Sequence, residues 1–323
     1  MKLIATMTLE AGDVLDHYRL EEPVSQSRMS TLYRATDLRD GRRVAVKLPL
    51  DEMETDPVLV ERFEREQQIG RELDHPGIVK TYHDEERSQR YMVIEWVDGK
   101  LLRAIMNEER TLPIERAVKL TLAICDALDT MHKHGVVHRD LKPENIMVSE
   151  GDRIKIIDFG IAMKEDARRL TYTDMSLLGT PDYISPEQVK GQRGDQRSDI
   201  YAVGAMLYEM LTGQPPFTGP NPLAVMNERL LIDPKPVREL NPEVSPALEE
   251  VLFRALERDP RHRYATAAEM AWELEHPELV GVDETRRVTL KSRGLNMRKL
   301  LLYGALAIVP VVLFVVMLLL AKR

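Results

Sequence analysis

His138-Arg139-Asp140-Leu141-Lys142-Pro143-Glu144-Asn145 is the stretch on which the reading of this chain turns. Thirteen residues after Asn145 comes Asp158-Phe159-Gly160. Each Asp closes an apolar, strand-like run: Gly135-Val136-Val137 before the first, Arg153-Ile154-Lys155-Ile156-Ile157 before the second. A carboxylate at Asp140 can take the proton of a hydroxyl. Lys142, two residues on, can steady a phosphoryl oxygen. Asn145 and Asp158 offer hard oxygen ligands of the kind Mg²⁺ prefers. Either tripeptide alone is common by chance; the eight-residue run with the second motif at this spacing is a specific signal.

Outward from this stretch, 323 residues at 43% hydrophobic content suffice for a large core, so disorder is excluded as the main reading. The one cysteine, Cys125, lies in an apolar helical pattern; it excludes an intrachain disulfide framework and fits a reducing compartment. The formal charge of −8 is uneven. Thr285 to Arg323 holds eight basic and no acidic residues, which leaves −16 on residues 1–284. So acidic a main domain is a poor nucleic-acid binder.

Residues 1–15 predict a short, disordered or loosely docked leader without a secretory signal. Tyr18 to Thr36 predicts two strands about a polar turn, Ser25-Gln26-Ser27-Arg28-Met29-Ser30, and Arg43 to Leu48 alternates as a strand with Ala45 and Lys47 on one face. Asp56 to Leu73 has a helical pattern containing Glu61, Glu64 and Glu66, and Tyr91 to Trp96 reads as a strand. Pro113 to His134 is the clearest amphipathic helix, with Ala117, Leu120, Ile124, Leu128 and Met131 at three- and four-residue steps and Gly135 as the stop. His132 and His134 at its end are read as structural, since no Cys or third His is near. Asp199 to Leu211 predicts a buried helix stopped by Gly213, and Ala265 to Leu274 a closing helix before Pro277.

In this order and spacing the motifs resemble those of the bacterial Hanks-type (eukaryotic-like) serine/threonine protein kinases, from about Tyr18 to Glu275. The resemblance implies an α+β bilobal fold: a small β-rich N-lobe with one main helix (16–95) and a larger helical C-lobe (98–276). It implies Asp140 and Lys142 as the catalytic pair and Asn145 and Asp158 as metal ligands, with ATP and Mg²⁺ (or Mn²⁺) as cofactors. The nucleotide would be held by Val24, Ser25, Gln26, Ser27, Arg28, Met29, Ser30 and Leu32 of the phosphate loop, by Ala45 and Lys47, and by backbone groups at Glu95 and Val97 behind Ile94. Glu66, favoured over Glu61 and Glu64 by Phe63 before it and by Leu73-Asp74-His75-Pro76-Gly77 after it, would pair with Lys47. Lys142 and Gly179-Thr180-Pro181 favour Ser/Thr over Tyr as acceptor. Thr171, Thr173 and Ser176 are candidate phosphosites in an activation segment ending at Ser185-Pro186-Glu187, near Arg139. Asp199 would brace the catalytic loop, and Glu187 would pair with Arg263.

One departure has physical content. Where the family carries three glycines, this chain has Ser25, Ser27 and Ser30. Serine gives up some of the freedom that lets a glycine backbone approach phosphates, so a stiffer loop and weaker ATP binding are expected. That loop is also the support for an alternative reading, a membrane-tethered pseudokinase acting as a nucleotide-binding scaffold; against it stands the full set of catalytic and metal residues.

Leu300 to Leu320 is uncharged and apolar. Twenty-one residues at ~1.5 Å rise cover about 31 Å, close to a ~30 Å hydrocarbon core. A single membrane helix at 300–320 is expected, with residues 321–323 as a short tail. The basic linker 277–299 carries six Lys and Arg between Arg286 and Lys299, which positive-inside places on the cytoplasmic face of the inner membrane, against anionic lipid heads. Protein substrates, a homodimer for trans-autophosphorylation, no nucleic acid and no extracytoplasmic sensor domain complete the expected partners.

Overall fold

The computed structural model describes residues 10–27, 30–50, 56–84, 86–158 and 182–282. Residues up to Val280 form one compact unit; of the second, Gly281–Arg323, only Gly281 and Val282 are described. The apolar run 300–320 therefore lies outside the described residues, as do Arg28, Met29, Thr171, Thr173 and Ser176. Among the described residues no helix is long and apolar enough to cross a membrane.

The first lobe is a sheet in the order β1 (Val14–Leu15), β2 (Tyr18–Gln26), β3 (Ser30–Asp37), β4 (Arg43–Pro49), β6 (Met92–Glu95), β5 (Thr81–Tyr82), antiparallel throughout. Val14–Leu15 pairing with β2 shows that the expected leader is shorter than 1–15: Leu15 is buried with Tyr18, Leu20, Ala35, Val44, Val46 and Val93 on one face. The period-2 alternation of β4 then turns Ala45 and Lys47 to the opposite face. Helix α1 (Pro57–Glu72) covers that side; Phe63 packs on Met92, and Glu66 follows three residues later on the same helix face.

The second lobe is built on α2 (Leu102–Glu109), α3 (Ile114–Lys133), α4 (Pro186–Val189), α5 (Gln196–Thr212), α6 (Pro222–Leu231), α7 (Val237–Leu240), α8 (Pro246–Ala255) and α9 (Ala267–Glu275). Pro113 is the N-cap of α3 rather than part of its first turn, and Thr266, whose side chain accepts from the Glu269 amide, delays the last helix to Ala267. Helix α5 is buried on nearly every side and is the axis of the lobe. Gly204 lets it approach α8: a Cβ there would stand 2.8 Å from that of Ala255. Cys125 is buried within α3, as its pattern predicted.

Two features bring the lobes together at the cleft. The short strands β7 (Lys100–Leu101), β8 (Ile146–Ser149) and β9 (Arg153–Ile156) form a second sheet under the connecting segment. Gly99 crosses it so closely that a Cβ would lie 2.4 Å from the Val148 carbonyl oxygen. The segment Gly77–Val79 then pairs with β9: Val79 N–H donates to Ile156 O (2.9 Å), and Ile156 N–H to Gly77 O (2.9 Å).

Candidate active site

The catalytic-loop residues are held from below by Asp199, in the first turn of α5 and 1% exposed. Its carboxylate accepts the backbone N–H of Arg139 (2.7 Å) and of His138 (2.9 Å), and a third hydrogen bond from His132 Nε2 (2.8 Å). Arg139 is bent into the left-handed region, φ 64°, which costs a non-glycine residue about 1–2 kcal/mol. Its amide is fixed by Asp199 and its carbonyl accepts from Gln188 Nε2 (2.8 Å). The bend is thus imposed from both sides, as strained backbone at functional positions must be. It turns the next residue, Asp140, out of the buried wall.

Asp140 is half-exposed and accepts from Lys142 Nζ at 2.7 Å. So open a pair contributes at most about 1 kcal/mol to stability; the consequence is positional. A 3₁₀ turn over Pro143–Asn145 folds back so that Asn145 Nδ2 donates to Asp140 O (2.8 Å). With its nitrogen so engaged, the buried amide presents its oxygen to the other side, as a hard cation requires. Ile157 N–H donates to Asn145 O (3.0 Å), tying the residue before Asp158 to the last residue of the loop. The two expected metal ligands are thereby joined through backbone, and the donor set fits Mg²⁺.

Across the cleft, Lys47 Nζ lies 2.7 Å from Glu66 Oε1. Of the three candidate carboxylates the structure selects Glu66; Glu64 instead meets Arg90, and Glu61 is exposed. Burial works against the Lys47 ammonium, but the Glu66 and Asp158 carboxylates outweigh it and hold its pKa above the usual value. Asp158 thus stands within the field of Lys47. Ala45 is buried opposite Ile94, and Val44 opposite Glu95. Glu95 N–H already donates to Lys80 O (2.8 Å), so the part left to Glu95 in binding a base is its carbonyl.

The serine-substituted phosphate loop is self-bonded. Ser27 Oγ accepts from Ser30 N–H (3.0 Å) and lies 3.0 Å from Ser30 O and 3.3 Å from Ser30 Oγ; Ser27 N–H donates to Ser30 O (2.9 Å). Ser25 and Gln26 pair with Leu32 and Thr31 in the hairpin, and Val24, Ser25 and Gln26 are exposed.

A cavity of about 500 Å³ opens beside Asp140, lined among others by Arg103, Lys142, Glu144, Tyr183 and Ile184. Arg103 forms ion pairs with Glu144 and Glu209 (2.8 Å each) and contacts the Tyr183 hydroxyl, closing the cavity floor. Glu187 and Arg263 form the expected pair at 2.7 Å, both fully buried. Burial would raise the Glu187 pKa, but Arg263 and Ser198 pull it below the ordinary value. Gln188, which ends the run Gly179-Thr180-Pro181-Asp182-Tyr183-Ile184-Ser185-Pro186-Glu187-Gln188, holds the Arg139 carbonyl. Two further groups carry no motif of their own: Arg193, which after burial and together with Arg65 pushes the Arg139 pKa down, and Lys155, which reaches Glu95. An alternating strand marks Lys155 only as outward-facing, and Arg193 lies in a segment without periodicity.

Comparison with known proteins agrees with this geometry. The family model described as "Protein kinase domain" matches residues 18–276. PknB of Mycolicibacterium smegmatis, named a serine/threonine-protein kinase, is 41% identical over 266 residues, covering 80% of this chain and 42% of PknB. A probable serine/threonine-protein kinase of Streptomyces coelicolor is 39% identical over 264 residues, 80% of this chain and 39% of that protein. The chain thus spans well under half of the curated relatives it matches. The crystal structure of the Mycobacterium tuberculosis PknI kinase domain superimposes with a TM-score of 0.64 at 27% identity, covering 83% of this chain and 99% of that one. With the catalytic loop, the Lys47–Glu66 pair and the buried Glu187–Arg263 pair in place, the chain belongs to the protein kinase family and is similar to serine/threonine kinases of the PknB type.

Proposed function

We propose that this chain is an active enzyme that moves the γ-phosphoryl group of ATP to Ser and Thr hydroxyls of proteins, its own activation segment included. The observation that carries this is the over-determined catalytic loop, in which Asp199, Gln188 and Asn145 together fix the backbone about Asp140. A scaffold would need none of that, and the pseudokinase reading is not favoured. In the proposed mechanism Asp140 orients the acceptor hydroxyl and takes its proton, and Lys142 steadies the transferring group. Lys47, kept charged by Glu66, holds the nucleotide phosphates. Bound at Asn145 and Asp158, Mg²⁺ would supply charge neutralisation at the phosphate oxygens. The protein's own contribution is positioning and electrostatics.

The Arg139 environment supports regulation by the activation segment. Burial, and after it Arg193 and Arg65, disfavours its charge, and a phosphate beside these guanidinium groups would favour it. The candidates remain Thr171, Thr173 and Ser176. The apolar run 300–320 after the basic linker supports a single membrane anchor with the kinase on the cytoplasmic side, against anionic lipid. A homodimer would permit trans-autophosphorylation. Fractionated cells should yield the full chain with the inner membrane; recovery in the soluble fraction contradicts the anchor.

The test of activity is incubation of the full chain with γ-labelled ATP, Mg²⁺ and a generic protein. Label is expected on the protein and on the kinase as phosphoserine or phosphothreonine, and is lost on chelation. Mg²⁺-dependent nucleotide binding without transfer supports the scaffold instead.

A further inference from the structure

Lys155 lies mid-way along β9, between the buried Ile154 and Ile156. Strand alternation sends its side chain away from the core of the second lobe, where an outward lysine ordinarily ends in water. This one does not: its side chain is only 21% exposed. Its Nζ donates to Glu95 Oε2 at 2.7 Å and to Ile78 O at 3.2 Å. The same Glu95 oxygen accepts the Lys80 N–H (3.2 Å), while Glu95 N–H donates to Lys80 O (2.8 Å).

Three segments therefore meet on one ammonium. Glu95 ends β6 and begins the connection between the lobes. Ile78–Lys80 belongs to the segment that pairs with β9. Lys155 itself stands three residues before Asp158. The ends of this node are the two ends of the nucleotide site: the Glu95 carbonyl at the base and the Asp158 carboxylate at the metal. We propose that Lys155 is a positioning residue that pins the inter-lobe connection to β9 and so fixes the spacing between the base-binding and metal-binding ends of the site. It touches neither ATP nor metal; it acts through Glu95 and through the backbone that leads to Asp158. The inference rests on the assignment of the cleft as the ATP site.

The geometry favours a pin over an ornamental surface pair. An exposed Lys–Glu pair has one partner each and swings freely. Here both side chains are largely covered, each makes a second bond to main chain, and the residues are 60 apart in sequence. Neutralising Lys155 leaves the Glu95 carboxylate and the Ile78 carbonyl without their shared donor, and the connection free to shift relative to β9.

The experiment compares the full-length wild type, Lys155→Met, Lys155→Arg and Arg254→Met. Arg254 makes an ion-pair cluster with Glu269 and Glu273 far along the second lobe, and serves as a control for general destabilisation. Readouts are kcat, KM for ATP, Kd for Mg·ADP and Tm. Lys155→Met is expected to raise KM and Kd about 5- to 10-fold while kcat at saturating ATP stays within threefold. Lys155→Arg should restore most of the loss, and Arg254→Met should lower Tm without moving KM. The proposal is overturned if Lys155→Met binds Mg·ADP within twofold of wild type, or if Arg254→Met raises KM as much. Wild type that neither binds nor transfers would instead defeat the kinase reading itself.

Discussion

The catalytic loop and the phosphate loop face each other across one cleft and are held in opposite ways. At His138–Asn145 the backbone before Asp140 is held by residues distant in sequence: buried Asp199 from α5 takes two amides, and half-buried Gln188 from α4 takes the Arg139 carbonyl. At Ser25–Ser30 the side-chain bonds are short-range, running from exposed Ser27 to buried Ser30 three residues on. Long-range bonds to a buried carboxylate survive local fluctuation, whereas the serine bonds restrict only the turn that makes them. The reacting groups are therefore preorganised by distant residues, whereas the cover over the phosphates is tied by its own serine bonds. Changes in the first region should strike kcat and stability; changes in the second should strike ATP affinity alone.

After Asp140 itself, the largest effect falls on Lys47. Lys47→Met removes one preorganised cation from the phosphates and should lower kcat/KM about 10²–10³-fold, with a fall in Tm because the largely buried Glu66 loses its partner. Steady-state kinetics at varied ATP checks it; a loss under tenfold would break the assignment. Next comes Asp199→Asn. Hydrogen bonds to a charged acceptor contribute about 1.5–3 kcal/mol, so a loss of about 3 kcal/mol and a Tm fall on the order of 10 °C are expected, with a drop in kcat. If kcat falls but Tm holds, the brace is electrostatic rather than structural.

The third test uses acid. Glu187 has a folded pKa below its unfolded value, so its stabilisation is fully present above pH ~4.5 and is lost as pH falls through the folded pKa. Acid titration of stability in Glu187→Gln should show a flatter slope below pH ~4.5, from a starting point about 3–5 kcal/mol lower because Arg263 is left buried and unpaired. An unchanged slope would mean that other carboxylates control acid unfolding. The smallest effect belongs to Ser27→Gly. Removing the hydroxyl bonds and restoring backbone freedom, worth roughly 0.5–1 kcal/mol, should lower KM for ATP about two- to fivefold with kcat unchanged. No change in KM, or a rise, would contradict the expected weakening by serine.

What could be read in the sequence follows the same division. That Asp140, Lys142, Asn145 and Asp158 lie close together was legible, because short-range geometry fixes their spacing and the motif survives as a string. Glu66 was legible only as one of three helix carboxylates until Phe63 and the neighbouring turn oriented the helix. Lys155 was illegible, since its partner lies 60 residues away and nothing local distinguishes it from a surface lysine; Gln188 stood in a motif, but its bond to the Arg139 carbonyl 49 residues away could not be read. The cap at Thr266 and the pairing of Val14–Leu15 were missed for a related reason. One side-chain bond, or two strand residues borrowed from the neighbouring β2, decides such ends. The positive φ of Arg139 was likewise hidden, since a tertiary brace and not residue type imposes it.

The most direct test of the account is single: the rate of phosphoryl transfer by full-length Asp140→Asn against wild type at saturating Mg·ATP, with Mg·ADP binding measured on the same preparations. The side chain is half-exposed and its amide is isosteric, so the fold and the nucleotide site should be kept. Binding within twofold of wild type and transfer reduced about 10²–10⁴-fold is the predicted result. Transfer within tenfold of wild type would contradict the role given to Asp140.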